Sequence, residues 1–242
     1  MQRRQFVHSI PLSLVGALMS SQTFDEGSVS PSLMPKQYST FVEWLNASRA
    51  AALQFVADSG AAHAERFMQF LALWVTAIPD PNEPTWQRID GANKKLEFAL
   101  ISPGHPFVVT ALRMEPGCIL PAHCHPGGGG ITLCIDGSLM IQHYDLVAGS
   151  AAFSETGAVA EVEEVSVTRL RKNQFTLFTP SRANLHQLQA GPDGAVAVDI
   201  VVQWAGAGEF SYLKLTDSTP ASQAAMGRRH RGTWVGMDIA RA

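Results

Sequence analysis

The chain has 242 residues, enough for one domain with a buried core and additional segments. Its 18 basic and 21 acidic residues give a net charge of −3, and no basic stripe runs through the body of the chain, which argues against a nucleic-acid-binding surface. The three cysteines, Cys118, Cys124 and Cys134, are odd in number and close together, so no disulfide framework is expected. No apolar run reaches the roughly 18 residues of a membrane span.

Residues 1–24 combine two arginines with a modestly apolar stretch. Arg3 and Arg4 precede Phe6, and residues 10–19 are mostly apolar. This arrangement resembles a twin-arginine export signal and predicts export to the periplasm, by a route understood to carry folded cargo. The alternative is a disordered N-terminus on a cytoplasmic protein. A Ser- and Pro-rich linker is predicted over residues 25–37.

Residues 38–80 carry apolar side chains at helical spacing in two segments. The first segment contains Phe41, Trp44 and Leu45, and the second contains Phe67 and Trp74. A glycine separates the segments and a proline ends the second. We therefore predict two helices that pack on each other as an N-terminal helical appendage.

From about residue 95 the pattern changes to short segments rich in β-branched and aromatic residues, divided by Gly, Pro and Asn. Such segments, with no helices between them, are typical of a sandwich or a closed barrel. The predicted strands cover residues 96–101, 107–114, 130–135, 138–146, 162–170, 174–178 and 196–204. We predict a mainly β domain over residues 95–216 and a C-terminal tail over residues 217–242, in which residues 228–231 form a solvated basic cluster.

His123 and His125 lie two residues apart in the segment of residues 120–126. Side chains alternate between faces in extended structure, so both imidazoles are expected on one side and Cys124 on the other. A strand presents two nitrogen ligands to a metal in this way. Four other histidines are interpreted as solvated or structural, namely His8, His63, His105 and His143.

Glycines flank this histidine pair at the spacing of the first cupin motif. Gly117 lies six residues before His123, and Gly137 lies twelve residues after His125. The resemblance implies a cupin barrel, which is a double-stranded β-helix or jelly roll. Cupins normally place a glutamate ligand at the position of Gly130, so a third ligand is expected from a later strand instead.

Three further motifs narrow the resemblance. The chain reads P-A-H-C-H-P-G over residues 121–127, Y-D over residues 144–145, and P-x5-H with an N-x-H ending over residues 180–186. Over roughly residues 98–215 it is similar to the thiol dioxygenases that include cysteamine dioxygenase and the plant cysteine oxidases.

The resemblance implies roles for particular side chains. It implies that His123, His125 and His186 hold one iron(II), although three imidazoles also accept zinc, nickel or copper. The aspartate that the family carries in a late strand corresponds to Asp199, which could orient a ligand histidine or bind a substrate amine; the alternative is a strand-edge aspartate facing water. The tyrosine of the family's following Pro-Pro-Tyr segment is missing, and Tyr212 comes later in the chain.

Three neutral imidazoles leave the full +2 charge on a bound metal, which favours an anionic thiolate as the incoming ligand. The predicted function is iron(II)-dependent oxidation by O2 of a small aminothiol, or of a cysteine at a peptide N-terminus, to a sulfinic acid. One alternative is a non-catalytic cupin that binds a metal or small ligand as a sensor or carrier. Another is a cupin enzyme with a carbon substrate, which the missing glutamate disfavours.

Overall fold

The computed structural model describes residues 40–59, 67–68, 71, 87–88, 96–104, 106–147, 156–180, 184–203, 211–216 and 227–236. All of them belong to the compact unit Tyr38–Ala242. The predicted export signal and linker lie outside these residues, as does most of the second predicted helix, of which Phe67, Met68 and Leu71 are helical. Among the described helical residues, no helix has the length and apolar character needed to cross a membrane.

One helix and ten strands have defined bounds within the described residues. Helix α1 is Phe41–Ser59, and it begins where the Thr40 hydroxyl accepts a hydrogen bond from the Glu43 backbone N–H at 3.2 Å, as a helix N-cap does. The strands are β1 Gln87–Arg88, β2 Leu96–Ser102, β3 Phe107–Met114, β4 Ile119–Cys124, β5 Gly128–Leu146, β6 Val159–Arg171, β7 Phe175–Phe178, β8 Leu185–Gln203, β9 Ser211–Leu215 and β10 Arg229–Val235.

The strands pair antiparallel in the order β1-β2-β3-β8-β4-β9-β10-β6-β5-β7, and β8 also pairs with β5. This additional pairing joins β8, β4, β9, β10, β6 and β5 into a closed ring. β3 and its neighbours extend from β8, and β7 extends from β5. Closure satisfies the backbone hydrogen bonds that an open sheet leaves at its edges. The mainly β class predicted from the sequence is confirmed.

The two longest strands, β5 and β8, have 19 residues each and pair with each other along most of their length. The sequence predicted two strands in place of β5, separated at Gly137. Instead, Gly137, with a φ of 69°, lies at a bulge that bends one continuous strand. The β8 register also shifts, between Ala190 and Ala195. Each long strand changes its outer partner across its bulge, so β8 pairs first with β4 and then with β3.

Residues 229–231 of the basic segment lie in the sheet, so the interpretation of this segment as a tail is wrong, although its arginines are solvated as predicted. These residues begin β10, which pairs with β6 and β9. Arg229 and Arg231 are exposed, whereas His230 between them is buried. Charged and buried residues alternate because one face of β10 meets solvent and the other meets the core.

Within the described part of the chain, buried side chains form two apolar clusters. One contains Leu120, Ile141 and Leu188, and the other contains Cys124 and Trp234. Cys124 packs in the second cluster with Ala122, two residues before it on β4, consistent with the alternation predicted for this part of the strand. All three cysteines are buried, and none of them forms a disulfide.

Candidate metal centre

Three buried histidines meet at one place, and we call them the three-histidine cluster: His123 of β4, His125 directly after β4, and His186 of β8. One ring nitrogen from each lies within 4.8 Å of the others. The ring centroids are 4.5 Å apart for His123 and His186, and 5.1 Å apart for His125 and His186. These spacings suit a single ion held by three imidazoles.

Strand pairing and one asparagine bring these histidines together. His123 lies directly opposite His186 in the β4–β8 ladder, so the two side chains share a face. His125 lies beyond the end of β4. Its backbone N–H donates a hydrogen bond to the Asn184 side-chain oxygen at 2.8 Å, and the Asn184 side-chain nitrogen donates one to the His125 carbonyl oxygen at 3.1 Å. Asn184 also donates to the carbonyl of Gly128 at 2.8 Å. The asparagine of the N-x-H motif thus fixes the loop that carries His125.

The histidines are neutral at physiological pH. Burial lowers the pKa of His123 to about 4 and lowers the pKa values of His125 and His186 well below the usual value. His123 Nδ1 lies 2.9 Å from the carbonyl oxygen of Pro121, which can only accept, so Nδ1 carries the proton and Nε2 keeps its lone pair.

The His186 imidazole gives a direct test of whether a metal fits. Both of its ring nitrogens are buried, and neither has a hydrogen-bond partner among the described residues. An unpaired buried nitrogen costs about 1–3 kcal/mol. Neutral, converging imidazoles with an unused lone pair have the donor chemistry that a divalent transition metal requires, so the residues fit the ion that the sequence implied.

An aromatic ring occupies the place where cupins normally carry a glutamate. Phe178 of β7 lies directly opposite Gly130 of β5, and its ring packs 4.8 Å from the rings of both His125 and His186. A Cβ atom at Gly130 would lie 2.7 Å from Phe178 Cε1 and 2.8 Å from the carbonyl oxygen of Ile200. Gly130 is therefore needed for Phe178 to pack. The sequence showed the missing glutamate but not the ring that replaces it.

Asp199 is not part of the three-histidine cluster. It lies on β8, a central strand, between Thr110 of β3 and Thr132 of β5, so the interpretation as an edge residue facing water is wrong. Thr132 Oγ1 donates to Asp199 Oδ1 at 2.6 Å. Burial raises the pKa of Asp199 to about 6, and the Thr132 hydrogen bond opposes that shift.

Tyr212 of β9 lies beside the cluster. It is buried, it is the direct partner of His123 in the β4–β9 ladder, and its ring centroid is 5.6 Å from that of His123. A tyrosine therefore does approach a predicted ligand, from a later strand than the one that carries Asp199.

A second group of buried polar side chains, which we call the His230 cluster, consists of Tyr144, Glu164 and His230. His230 Nε2 lies 3.5 Å from Glu164 Oε2, and both side chains are almost fully buried. The Tyr144 ring stands edge-on to the His230 ring at 5.7 Å. Burial raises the pKa of Tyr144, and the nearby Glu164 raises it further. The sequence offered no sign of this pairing.

Comparison with known proteins gave one family match. Residues 67–202, more than half of the chain, match the family described as PCO_ADO. No curated protein sequence matches the chain.

Three solved structures illustrate the structural similarity. KdgF from Halomonas sp. shares 11% identity, with a TM-score of 0.35, and the match covers 49% of this chain and 86% of that protein. A cupin-like protein from Thermotoga maritima shares 18%, with a TM-score of 0.35 and coverage of 49% and 75%. A protein with a double-stranded β-helix domain from Klebsiella pneumoniae shares 21%, with a TM-score of 0.34 and coverage of 49% and 84%.

Proposed function

The chain belongs to the PCO_ADO family, the plant cysteine oxidase and cysteamine dioxygenase family, and from this premise we propose that it is an iron(II)-dependent thiol dioxygenase. Membership confirms the family resemblance, and the mainly β cupin fold predicted from the sequence is confirmed with it. The observation that carries the proposal is the convergence of three neutral, buried imidazoles within 4.8 Å, with a phenyl ring where a carboxylate ligand would stand.

In this proposal His123, His125 and His186 hold the metal. When bound, iron(II) supplies the redox chemistry by which both oxygen atoms of O2 are transferred to a thiol sulfur, giving a sulfinic acid. The imidazoles contribute no negative charge, so the centre attracts an anionic thiolate. Phe178 covers one side of two imidazoles, which limits the access of water from that side.

We propose that Asp199 binds the ammonium group of the substrate. Thr132 holds one carboxylate oxygen, and with a pKa of about 6 the group is mostly ionised at pH 7. An ionised carboxylate in a buried site requires a cationic or hydrogen-bonding partner, which an aminothiol or the N-terminus of a Cys-initiated peptide supplies. This role favours substrates in which an amine lies close to the thiol.

The test is metal content together with oxygen uptake and sulfinate formation. The full chain is loaded anaerobically with iron(II) and offered cysteamine, cysteine and a Cys-initiated peptide. His186→Ala removes one proposed ligand, and His230→Ala is the matched control because it removes a buried histidine elsewhere. We expect stoichiometric iron binding and thiol-dependent oxygen uptake in the parent chain and in His230→Ala. Both should vanish in His186→Ala. Iron binding without uptake on any thiol would overturn the enzymatic proposal.

A second candidate is a non-catalytic cupin that binds a metal as a sensor or carrier. The observation that favours it is the sequence Gln203, Trp204, Ala205, which contains no tyrosine where the family continues with Pro-Pro-Tyr. Tight metal binding with no sulfinate from any of the three thiols is the result this candidate expects.

A further inference from the structure

One row of polar side chains crosses the barrel at the level of the three-histidine cluster. Successive direct partners in the ladders are Ser166 of β6, His143 of β5, His186 of β8, His123 of β4 and Tyr212 of β9. Directly opposed residues share a face, so the five side chains line up on one face across five strands. Two of the five are proposed metal ligands.

His143 is the histidine of this row that the cluster does not include. It is 1% exposed, and its ring stands edge-on to that of His186 with the centroids 5.9 Å apart. It is not among the three residues whose nitrogens converge within 4.8 Å. His143 therefore touches a ligand side chain while lying outside the ligand set.

Only one side of the His143 ring is satisfied by the protein. Its Nδ1 lies 3.0 Å from the Ser166 hydroxyl oxygen, and its Nε2 is buried without a hydrogen-bond partner among the described residues. Buried polar atoms are nearly always paired, so an unpaired one calls for an explanation such as a missing ligand. The adjacent His186 imidazole has unpaired nitrogens too, so a metal held by His186 together with that metal's own ligand beside His143 would give each ring a partner.

We propose that His143 is a ligand-binding residue that donates a hydrogen bond from Nε2 to the exogenous anionic ligand of the three-histidine centre. A Ser166 hydroxyl that donates to Nδ1 places the ring proton on Nε2. An N–H donor beside an anion forms a charge-assisted hydrogen bond, which is stronger than a neutral one. The ligand class is a small monoanion, such as a thiolate. The inference rests on the proposed metal centre, but not on dioxygenase activity.

The experiment measures anion binding without turnover. The full chain is loaded with cobalt(II), and azide is titrated while the visible absorption of the cobalt is followed; cobalt affinity is measured separately by competition with a chelator. His143→Phe keeps a ring of similar size without the N–H. We expect its azide Kd to rise about 10-fold, the loss of one hydrogen bond to a charged group, while cobalt affinity stays within about twofold of the parent.

Three further variants separate the possible causes. Ser166→Ala should raise the azide Kd about threefold. His143→Gln should raise the azide Kd less than His143→Phe does, because glutamine retains an N–H donor. His230→Phe, in the His230 cluster, should leave azide binding unchanged. An unchanged azide Kd in both His143 variants overturns the inference. The inference is also overturned if the His143 variants lose cobalt as completely as His186→Ala does, because His143 would then be a metal ligand. A parent chain that binds no cobalt refutes the metal centre itself.

Discussion

The three-histidine cluster and the His230 cluster both bury imidazoles, and they differ in what those imidazoles meet. His230 faces a carboxylate, Glu164, at 3.5 Å. The three-histidine cluster contains imidazoles only, and its His186 has no hydrogen-bond partner among the described residues. His230 thus faces an acidic side chain of the protein itself, whereas the three converging imidazoles face one another and could share a bound cation. Burial alone therefore does not mark a functional histidine.

The largest effect expected from this contrast is on metal binding. His186→Ala removes one of the three proposed ligands and should lower metal affinity by more than the 10–100-fold that outer-shell partners typically cost. His230→Ala should leave metal affinity within about twofold of the parent. Competition with a chelator of known affinity measures both. Equal losses in the two variants would show that the histidines act only through folding, and the contrast would fail.

Folding stability, unlike metal affinity, should depend on the His230 cluster. Glu164→Ala leaves His230 buried without its partner and should lower the free energy of unfolding by about 3 kcal/mol, while metal affinity is retained. Urea denaturation of the metal-free protein measures the loss. In a double-mutant cycle with His230→Ala, the two losses should be strongly non-additive, because each variant breaks the same contact. Additive losses would mean that the two side chains do not interact.

A third prediction tests how Phe178 supports the three-histidine cluster. Gly130→Ala places a methyl group against the Phe178 ring and should cost about 1–3 kcal/mol of stability. The displaced ring would no longer hold His125 and His186, so metal affinity should fall about 10-fold. Phe178→Ala in the same chain opens room and should restore part of the stability. If the double variant is no more stable than Gly130→Ala, the contact with the Ile200 backbone dominates instead.

The smallest expected effect concerns Asp199 and pH. Its carboxylate has a pKa of about 6, so it loses charge as the pH falls through 6, and the KM for an aminothiol should then rise a few-fold. Asp199→Asn should show a raised KM with no such dependence near pH 6. A thiol without an amine should be insensitive to the substitution. A pH profile of KM that Asp199→Asn leaves unchanged would remove Asp199 from substrate binding.

The same pKa makes a prediction for stability with a definite sign. The pKa of Asp199 is raised above its usual value of 3.8, so the folded protein holds this proton more tightly than the unfolded chain does. The ionised group therefore costs stability above pH 6, and the cost diminishes as the pH falls from 6 towards 4. Asp199→Asn should flatten that part of the stability profile, which urea denaturation at several pH values can measure.

Local patterns in the sequence predicted the parts of the site that depend on local geometry. The spacing of His123 and His125 follows from strand alternation, and the N-x-H ending identified His186. The sequence could not reveal His143 as a neighbour of His186, because their adjacency depends on the pairing of β5 with β8. The role of Phe178 was hidden for the same reason, since it arises only where β7 meets Gly130.

The fold was predictable to a similar extent. Short segments of β-branched residues indicated a mainly β protein, and the strand from Phe107 to Met114 was predicted with its observed ends. β10 was missed because its charged residues, read alone, suggest a solvated segment. Arg229 lies 3.6 Å from Glu163 of β6, a partner far away in the sequence. The sequence of such a segment shows the alternation of its side chains, but it does not show the strand with which the segment pairs.

The packing of Phe178 against Gly130 also limits how this site could change. A carboxylate at residue 130 would meet the phenyl ring and the Ile200 backbone before it reached the metal. A smaller side chain at residue 178 would remove the contact with the ring but not the contact with the Ile200 backbone. A designer who wanted a fourth, carboxylate ligand at residue 130 would therefore have to replace Phe178 and also shift the backbone of β8 at Ile200.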